Sequence, residues 1–290
     1  MFNYSLIIPH KNTPNLLERC LLSIPNRDDL EVIIVDDNST PDNIEKLSRL
    51  THMNTTWIFD KSNKGAGHAR NLGMEKATGE WLIFADADDY YSKDFDSFLN
   101  RAMNLNVDMV FINAAIVDDN NIIKYTIISK FIALLKKGED SALQKMRFGF
   151  WTPWSRITRR RIFSENNIMF EEVPTGNDTL AVLKASKYSQ SFEVEPDIMY
   201  YYYKPTNGSQ TAKAYNQETY SQRLRQRFET NKLYKEVNYP YLWPIFREFR
   251  NKSWNKTEKI KKIKNDYNYN VILDYYYFIK RICAKFMGKL

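Results

Sequence analysis

The sequence predicts an α/β fold built on a largely parallel sheet with helices on both faces. Short apolar runs of strand length alternate with segments of helical periodicity across residues 1–112. The chain has 290 residues, of which 43% are hydrophobic and 14% aromatic, so it can bury a substantial core. Polar or charged residues directly follow each of the first four apolar runs, which indicates a functional site at the strand ends.

The first 112 residues contain the clearest elements. Strands are predicted at 4–9, 31–37, 55–59, 81–86 and 107–112. Helices are predicted at 14–24, from Pro41 onward and at 66–77. Ser39 and Thr40 are favourable N-cap residues, and a proline in the first turn fits a helix start. Strands and helices in alternation are typical of βαβ units.

The later part of the chain gives weaker signals. Residues 113–150 have no clear pattern, and 151–170 form a compact segment. A helix is predicted at 179–188, paired strands at 192–204, and mostly helical structure at 215–290. We therefore divide the chain into 1–112, 113–205 and a helical basic extension at 206–290.

Charge is concentrated at the carboxyl terminus. Residues 245–290 carry twelve Lys or Arg and four Asp or Glu, whereas the whole chain has a net charge of +7. The remaining residues are nearly neutral, so we predict no nucleic-acid partner, which would require a basic patch on the folded domain. Two cysteines, no signal peptide and no apolar run of about 18 residues lead us to expect a cytoplasmic protein.

Polar groups occupy four successive strand ends. They are Pro9-His10-Lys11-Asn12, Asp36-Asp37-Asn38, Asn63-Lys64-Gly65 and Asp86-Ala87-Asp88-Asp89. Parallel strands bring these ends to one edge of the sheet, called the carboxyl edge below.

The acidic cluster at residues 86–89 indicates a cation site. Carboxylates so close together repel, and Mg²⁺ or Mn²⁺ would relieve the repulsion with oxygen ligands. Such an ion could neutralise a diphosphate leaving group. The alternative is a solvated acidic turn that caps a helix, and the three neighbouring strand ends favour the cation.

The other strand ends suggest nucleotide binding. One of Asp36 and Asp37 could accept a hydrogen bond from a nucleobase N–H while the other orients the loop. The alternative is that they cap the following helix with Ser39 and Thr40. Lys64 and Arg70 place positive charge where a diphosphate would lie, beside glycines and a helix N-terminus. The alternative for Arg70 is an ordinary surface position on a helix.

Residues 65–70 nearly match the G-x-G-x-x-G signature of dinucleotide binding. The third position must be small so that the helix can pack on the strand, and here it is Arg70. The motif also follows the third strand rather than the first. Both departures argue against a dinucleotide site.

Several segments together resemble family 2 glycosyltransferases of the GT-A fold. They are, in order, SLIIPHKN, IIVDDNST, NKGAGHARNLGMEKATGEWLIFADADD, WSRITRRRIFSENNIMF and GNDT. The resemblance covers roughly residues 4–205. The chain resembles the bacterial members that build capsule, O-antigen or other cell-surface polysaccharides. It implies that 1–112 is the nucleotide-sugar-binding half of a GT-A domain and 113–205 the acceptor-binding half.

The resemblance also implies roles for individual residues. Asp37 would contact a nucleobase, expected to be uracil. The implied donor-binding residues are Pro9, His10, Asn12, Asp36, Asp37, Lys64, Gly65, Arg70, Asp86 and Ala87. Asp88 would bind Mn²⁺ or Mg²⁺, with Asp86 as its partner. The family often has an aromatic residue, suited to stacking on the base, where His10 or Lys11 stands here.

Asp178 matches the general base of the family. Its alternative role is that of an ordinary acid at a helix N-terminus, which is also electrostatically favourable. The family's Trp-x-Lys segment reads Trp154-Ser155-Arg156 here, which keeps the positive charge. Trp154 and Arg156 are therefore expected to contact the acceptor.

The expected function is the transfer of a sugar, with inversion, from a nucleotide-diphosphate donor to a saccharide or lipid-linked acceptor. We expect the donor to be a UDP-sugar and the reaction to belong to surface polysaccharide biosynthesis. One alternative is an inactive nucleotide-sugar-binding scaffold protein of an assembly complex. A second alternative is a nucleotidyltransferase. Such an enzyme requires a glycine-rich loop with a basic residue directly after the first strand, and the segment PHKNTP at that position does not provide one.

The basic extension suggests a further partner. Residues 245–290 mix aromatic residues with lysine and arginine, which suits contact with an anionic membrane surface. The extension is therefore expected to bind peripherally at the inner face of the bacterial cytoplasmic membrane. The alternative is a solvated helical face packed on the catalytic domain.

Overall fold

A computed structural model describes residues 2–120, 123–206, 216–240, 242–243, 245 and 256–286. The strands in these residues are β1 (Tyr4–His10), β2 (Leu30–Asp37), β3 (Thr55–Asp60), β4 (Trp81–Phe84), β5 (Tyr90–Tyr91), β6 (Met109–Val117), β7 (Ile123–Tyr125), β8 (Arg156–Arg159) and β9 (Phe192–Tyr203).

The helices, within the same described ranges, are α1 (Pro14–Ser23), α2 (Pro41–Leu47), α3 (Ala66–Lys76), α4 (Phe95–Ala102), α5 (Ile127–Lys136), α6 (Ser141–Gly149), α7 (Arg160–Glu165), α8 (Thr179–Tyr188), α9 (Gln217–Glu236), α10 (Glu258–Asp266) and α11 (Val271–Phe286). A 3-10 turn spans Pro153–Ser155. None of the described helices has the length and apolarity needed to span a bilayer.

The strands form one sheet in the order β3-β2-β1-β4-β8-β6-β9-β5, with β7 beside β6. β1 to β4 are mutually parallel, as predicted. The register pairs His10 with Asp36, and Asp37 with Asp60. The carboxyl ends of these strands therefore coincide, which confirms the predicted common edge.

The apolar strands form the centre of the core. Every residue of β1 and β2 is buried, which explains why their sequences are nearly continuous apolar runs. α3 packs against both strands. A Cβ added at Gly73 would lie only 2.4 Å from Ile7 Cγ2, so this glycine lets the helix approach β1 closely.

The second half of the sheet is mixed. β8 is antiparallel to both of its neighbours, β4 and β6, whereas β9 is parallel to β6. β6 extends to Val117 and so continues through the predicted division at residue 112. The unassigned stretch after it forms β7, α5 and α6.

The predicted pair of strands at 192–204 is wrong, because this segment forms the single strand β9. Its pairing with β6 skips from Glu195 to Ile198, so Pro196 and Asp197 form a bulge. A bulge accommodates a proline, which has no N–H to give to the ladder. The Asn113 side-chain amide donates to the Pro196 carbonyl at 2.7 Å and stabilises the irregularity.

Candidate active site at the carboxyl edge

His10 and Asp36 form a buried pair beneath the carboxyl edge. His10 Nε2 accepts a hydrogen bond from the Thr13 backbone N–H at 3.1 Å, so Nδ1 carries the proton and donates to Asp36 at 2.8 Å. Burial would raise the pKa of Asp36, but hydrogen bonds from His10 and Ser39 outweigh it and hold this pKa below the ordinary value. Pro9 is also buried in β1. Pro9, His10 and Asp36 therefore support the loops of the carboxyl edge from inside the protein.

Asp37 joins two neighbouring loops. Its two carboxylate oxygens accept hydrogen bonds from the Gly65 N–H at 3.2 and 3.1 Å, and Lys11 Nζ lies 3.5 Å away. Gly65 has a φ of +89°, a region that side chains other than glycine rarely adopt. Asp37 thus holds the loop after β3 against the end of β2. Lys64 stays half-exposed, 3.4 Å from Glu172.

Asn12 links the loop after β1 to the loop after β2. Its backbone N–H donates to Ser39 Oγ at 2.8 Å, and its side-chain oxygen accepts from the Thr40 N–H at 2.8 Å. Asn12, Asn38 and Asn63 all have positive φ, near 60°. Asparagine tolerates this left-handed backbone conformation better than most residues, so each loop turns sharply after its strand.

Arg70 is a buried cation that connects separate parts of the site. It is 5% exposed, which excludes the surface-helix alternative. Its Nη2 donates to Asp86 Oδ1 at 2.5 Å, and its Nη1 donates to Asn177 Oδ1 at 2.9 Å. The guanidinium also lies over the ring of Phe170, 5.5 Å from its centroid. Arg70 thereby brings the end of β4 to the segment that precedes α8.

Asp89 is fully buried and has a structural role that sequence reasoning missed. The Tyr200 hydroxyl donates to its carboxylate at 2.6 Å, and the Tyr203 N–H donates to it at 2.7 Å. The same hydroxyl accepts from the Asp86 N–H at 3.0 Å. Burial and the nearby charges of Asp86 and Asp88 raise the pKa of Asp89 well above its ordinary value. The only sequence signal was the tyrosine run at 200–203.

Asp88 differs from its buried neighbour. Its backbone oxygen accepts from Arg19 Nη2 at 2.6 Å, and within the described residues no side chain hydrogen-bonds to its carboxylate. Burial and then the charge of Asp86 raise the pKa of Asp88 to about 6. Ala87 is buried between the two acids. Asp86 is thus already paired with Arg70, whereas no ion pair among the described residues holds the Asp88 carboxylate, and both acids still have oxygen atoms that a cation could bind.

These acids do not form a complete metal site from protein groups alone. Across the described part of the chain, no three His, Cys, Asp or Glu side chains cluster so as to hold an ion. Mg²⁺ is commonly bound through one or two carboxylates together with substrate phosphates. The donor set at Asp86 and Asp88 fits that pattern.

Asp178 is the partly buried N-cap residue of α8, and the charges of Arg70 and Asp86 both act on its carboxyl group. Burial raises its pKa, Arg70 opposes the rise, and the negative charge of Asp86 adds to it. A carboxylate with a raised pKa is suited to accept a proton. An ordinary helix-capping acid would not need these charged neighbours.

A tight contact positions the segment that carries Asp178. A Cβ added at Gly67 would lie 2.0 Å from the backbone oxygen of Glu171, so only glycine permits the approach. The Glu171 N–H donates to the Asn177 carbonyl at 3.0 Å. Asn71 exchanges two hydrogen bonds, of 2.8 and 2.9 Å, with the backbone of Phe170. α3 therefore anchors residues 170–178. The one sequence signal for the contact with Glu171 was Gly67, a glycine inside a helical pattern.

Trp154 and Arg156 lie in the core, contrary to the exposed position that acceptor contact would need. Trp154 is 6% exposed and stacks on Tyr200, with ring centroids 5.0 Å apart. Arg156 is 3% exposed and donates to Ser186 Oγ at 2.8 Å. Burial lowers the pKa of Arg156 to about 9, although the charge of Asp178 opposes this. These side chains support the site from within, and the geometry does not support direct acceptor contact.

The family model for glycosyl transferase family 2 matches residues 5–183, which is more than half of the chain. The chain belongs to glycosyl transferase family 2. Within this family it resembles the poly(ribitol-phosphate) beta-N-acetylglucosaminyltransferase TarS of Staphylococcus aureus, with 25% identity over 228 residues. That alignment covers 74% of this chain and 38% of TarS.

A second relative is the GalNAc(5)-diNAcBac-PP-undecaprenol beta-1,3-glucosyltransferase of Campylobacter jejuni, 32% identical over 125 residues. That alignment covers 41% of this chain and 40% of the relative, so the chain spans about two fifths of each of these two proteins. Residues 1–349 of S. aureus TarS, solved in complex with UDP-GlcNAc, superpose with a TM-score of 0.69 at 20% identity. The match covers 92% of this chain and 80% of that one, and it confirms the GT-A fold.

Proposed function

We propose that this family 2 glycosyltransferase moves a sugar from a UDP-sugar donor to a hydroxyl of a saccharide or lipid-linked acceptor, with inversion, in surface polysaccharide biosynthesis. The observation that carries the proposal is the Arg70 bridge. The Arg70 side chain bonds to Asp86, a candidate metal ligand, and to Asn177, the residue before Asp178. It thus links the candidate metal ligands to the segment that carries the candidate base. The UDP-GlcNAc complex of TarS supports a UDP-sugar donor.

The donor would lie across the four strand-end loops. Asp37 and the loops that it joins would meet the nucleobase, while the exposed side chain of Lys64 and the buried Arg70 supply positive charge near the diphosphate. His10 and Asp36 would act on the donor indirectly, by holding these loops in place. Hydrogen bonds formed before the donor arrives reduce the ordering cost of binding.

We propose that Asp88, together with Asp86, holds Mn²⁺ or Mg²⁺ when the donor binds. The ion would supply positive charge that stabilises the diphosphate as it leaves. The carboxylate-only donor set and the absence of a third clustered ligand in the described residues support an ion that shares its coordination with substrate phosphates.

Asp178 would act as the general base. Its carboxylate takes the proton of an acceptor hydroxyl while that oxygen forms a bond to the anomeric carbon, on the face opposite the phosphate. The bond from the anomeric carbon to the phosphate oxygen breaks, and its electron pair leaves with the nucleoside diphosphate. Arg70 bonds to Asp86, and its charge also acts on Asp178, so it would limit the mutual repulsion of these two carboxylates as charge moves.

Release of UDP from UDP-GlcNAc and UDP-glucose, measured with and without Mn²⁺, tests this function. We expect slow, Mn²⁺-dependent release through transfer to water even without an acceptor, and its loss in Asp178→Asn. An inactive scaffold protein would bind a UDP-sugar yet release no UDP under any of these conditions. That result would overturn the proposal.

We also propose that α11 lies on an anionic membrane surface, where lipid-linked acceptors reside. An exposed apolar face on this helix comprises Val271, Ile272, Leu273, Tyr275, Tyr276 and Ile279. Ile272 is 80% exposed, and Lys280 follows the face directly. An amphipathic helix of this kind, in a basic extension, suits the boundary between lipid headgroups and acyl chains.

A further inference from the structure

A cavity of about 190 Å³ lies between α9 and the segment around Asp178. Gly176 and Thr179, which flank Asp178 on either side, form part of its lining, and Trp151 forms another part. We call this space the α9 cavity. Pockets for whole ligands usually measure about 300–1,000 Å³, so the α9 cavity suits a single chemical group rather than a nucleotide sugar.

The face of α9 that lines this cavity is polar. Arg223, Gln226, Arg227 and Thr230 follow the i, i+3, i+4, i+7 spacing that places residues on one side of a helix. A helix face directed toward the protein normally carries apolar residues. A polar stripe in that position costs free energy unless its groups are satisfied, and so requires an explanation.

Two residues of this polar face, Gln226 and Thr230, differ in how their polar groups are satisfied. Gln226 Nε2 donates to Glu171 Oε2 at 2.8 Å and to the Gly176 carbonyl at 3.1 Å, so it anchors the loop that leads to Asp178. Thr230 is 1% exposed, and its hydroxyl has no hydrogen-bond partner within the described residues. A buried hydroxyl of this kind is available to a ligand in the cavity.

The cavity also contains cationic groups. Its described lining includes two arginines, Arg223 and Arg227, which also interact with other groups of the protein, and no acidic residue. The guanidinium carbon of Arg227 lies 3.9 Å from the ring centroid of Trp243 and 5.5 Å from that of Trp151. The two indole rings cover part of this partly exposed cation and reduce its contact with water, which strengthens its attraction to an anion.

We infer that the α9 cavity is an acceptor subsite that binds a phosphate group of the acceptor. Arginine pairs with phosphate through two parallel hydrogen bonds, and the Thr230 hydroxyl can donate a third. The inference rests on the proposed function, since it places the acceptor beside the base that would activate it. An acceptor phosphate held here would present a nearby hydroxyl to Asp178.

Binding of glycerol 3-phosphate, compared with glycerol, tests the inference by calorimetry. The full chain is saturated with UDP and Mn²⁺ so that the nucleotide site is filled. We expect glycerol 3-phosphate to bind and glycerol not to bind. The R223Q/R227Q double variant should bind the phosphate roughly tenfold or more weakly, and the R223K/R227K variant should recover part of the loss.

Lys235→Gln is the matched control, because Lys235 is an exposed residue of α9 outside the cavity. It removes a positive charge from the same helix and should leave phosphate binding unchanged. Equal binding by wild type and R223Q/R227Q, no binding by wild type, or an equal loss in Lys235→Gln would each overturn the inference. UDP release from UDP-GlcNAc reports separately on the proposed function, so its failure is distinguishable from failure of the subsite.

Discussion

The Tyr200 hydroxyl donates a 2.6 Å hydrogen bond to the Asp89 carboxylate while it accepts one of 3.0 Å from the Asp86 N–H. One side chain from β9 therefore fixes the turn that follows β4. Asp88 lies between these two acids in sequence, yet its carboxylate takes no part in the arrangement. We therefore expect the two adjacent aspartates to have different roles, Asp89 in stability and Asp88, as proposed above, in ligand binding.

Asp89→Ala should destabilise the fold, whereas Asp88→Ala should not. Loss of the Asp89 carboxylate leaves the Tyr200 hydroxyl and the Tyr203 N–H without an acceptor in a buried place, at a cost of about 1–3 kcal/mol for each group. Urea unfolding measures the change in the free energy of unfolding. Asp88→Ala should retain wild-type stability and lose Mn²⁺-dependent binding of UDP-GlcNAc, measured by calorimetry. Equal losses of stability in both variants would contradict the division of roles.

Asp178→Asn should abolish transfer without weakening donor binding. The amide keeps the size of the side chain but cannot accept the hydroxyl proton, and general-base catalysis typically contributes about 10²–10⁴-fold to the rate. UDP release measures turnover, and calorimetry with UDP measures donor binding. Turnover near the wild-type rate would exclude Asp178 as the base.

Activity should fall at acidic pH as Asp178 takes up a proton. Burial raises its pKa above the ordinary value, so the acid limb of kcat/KM should lie above the pH of about 3.9 at which an exposed aspartate titrates. Arg70 opposes this rise, because its positive charge favours the ionised carboxylate.

Arg70→Gln should therefore move the acid limb to still higher pH. The variant is also expected to turn over more slowly, and the position of the limb, rather than the rate, is the diagnostic quantity. A pH profile of UDP release for wild type and variant gives both values. A limb that stays in place would show that Arg70 does not act on the base.

Gly67→Ala and Gly73→Ala should have different effects, although both glycines lie in α3. Alanine normally favours a helix over glycine by about 1 kcal/mol. At Gly67 the new methyl group would meet the Glu171 backbone, so it should displace the segment of Asp178 and lower turnover at least roughly tenfold. At Gly73 it would meet Ile7, so it should cost about 1–3 kcal/mol of stability.

Thermal unfolding and turnover per folded molecule, measured on both variants, separate these two effects. Gly73→Ala should retain turnover once the folded fraction is taken into account. Full activity in Gly67→Ala would show that the contact with Glu171 does not position the base.

Charge placed on the apolar face of α11 should abolish membrane binding. Ile272→Glu with Tyr276→Glu adds two negative charges where we propose lipid contact, and flotation with phosphatidylglycerol vesicles measures the bound fraction. Leu22→Glu is the control, since Leu22 is 83% exposed on α1. Wild type and Leu22→Glu should float with the vesicles and the double variant should not. Flotation of all three would locate any membrane contact elsewhere.

The part of the site that the sequence predicted best is the set of polar residues that directly follow the parallel strands. β1 to β4 are continuous apolar runs, and parallel pairing places whatever follows them at one edge. Partners across the fold could not be predicted in this way. Asp86 bonds to Arg70, 16 residues earlier, and is joined to Tyr200, 114 residues later, through contacts that depend on tertiary packing.

Local signals misled where packing decides between exposure and burial. Trp154 and Arg156 match a family segment from which acceptor contact was expected, yet an aromatic stack and the Ser186 hydroxyl hold them in the core. Pro196 resembles a break between strands, yet the Asn113 amide stabilises a bulge there and the strand continues. In each case a partner distant in sequence determined the outcome.

The position of the polar stripe on α9 means that donor binding and acceptor binding would depend on different parts of the chain. Every residue that would meet the donor, and the base itself, precedes α8, whereas the arginines that would recognise the acceptor lie on a helix that begins at Gln217. Substitutions on one face of α9 could thus change which acceptor is used without disturbing the sheet. Related enzymes could diverge in the polymers that they decorate while keeping a common donor, and exchange of this helix between relatives would transfer acceptor preference with it.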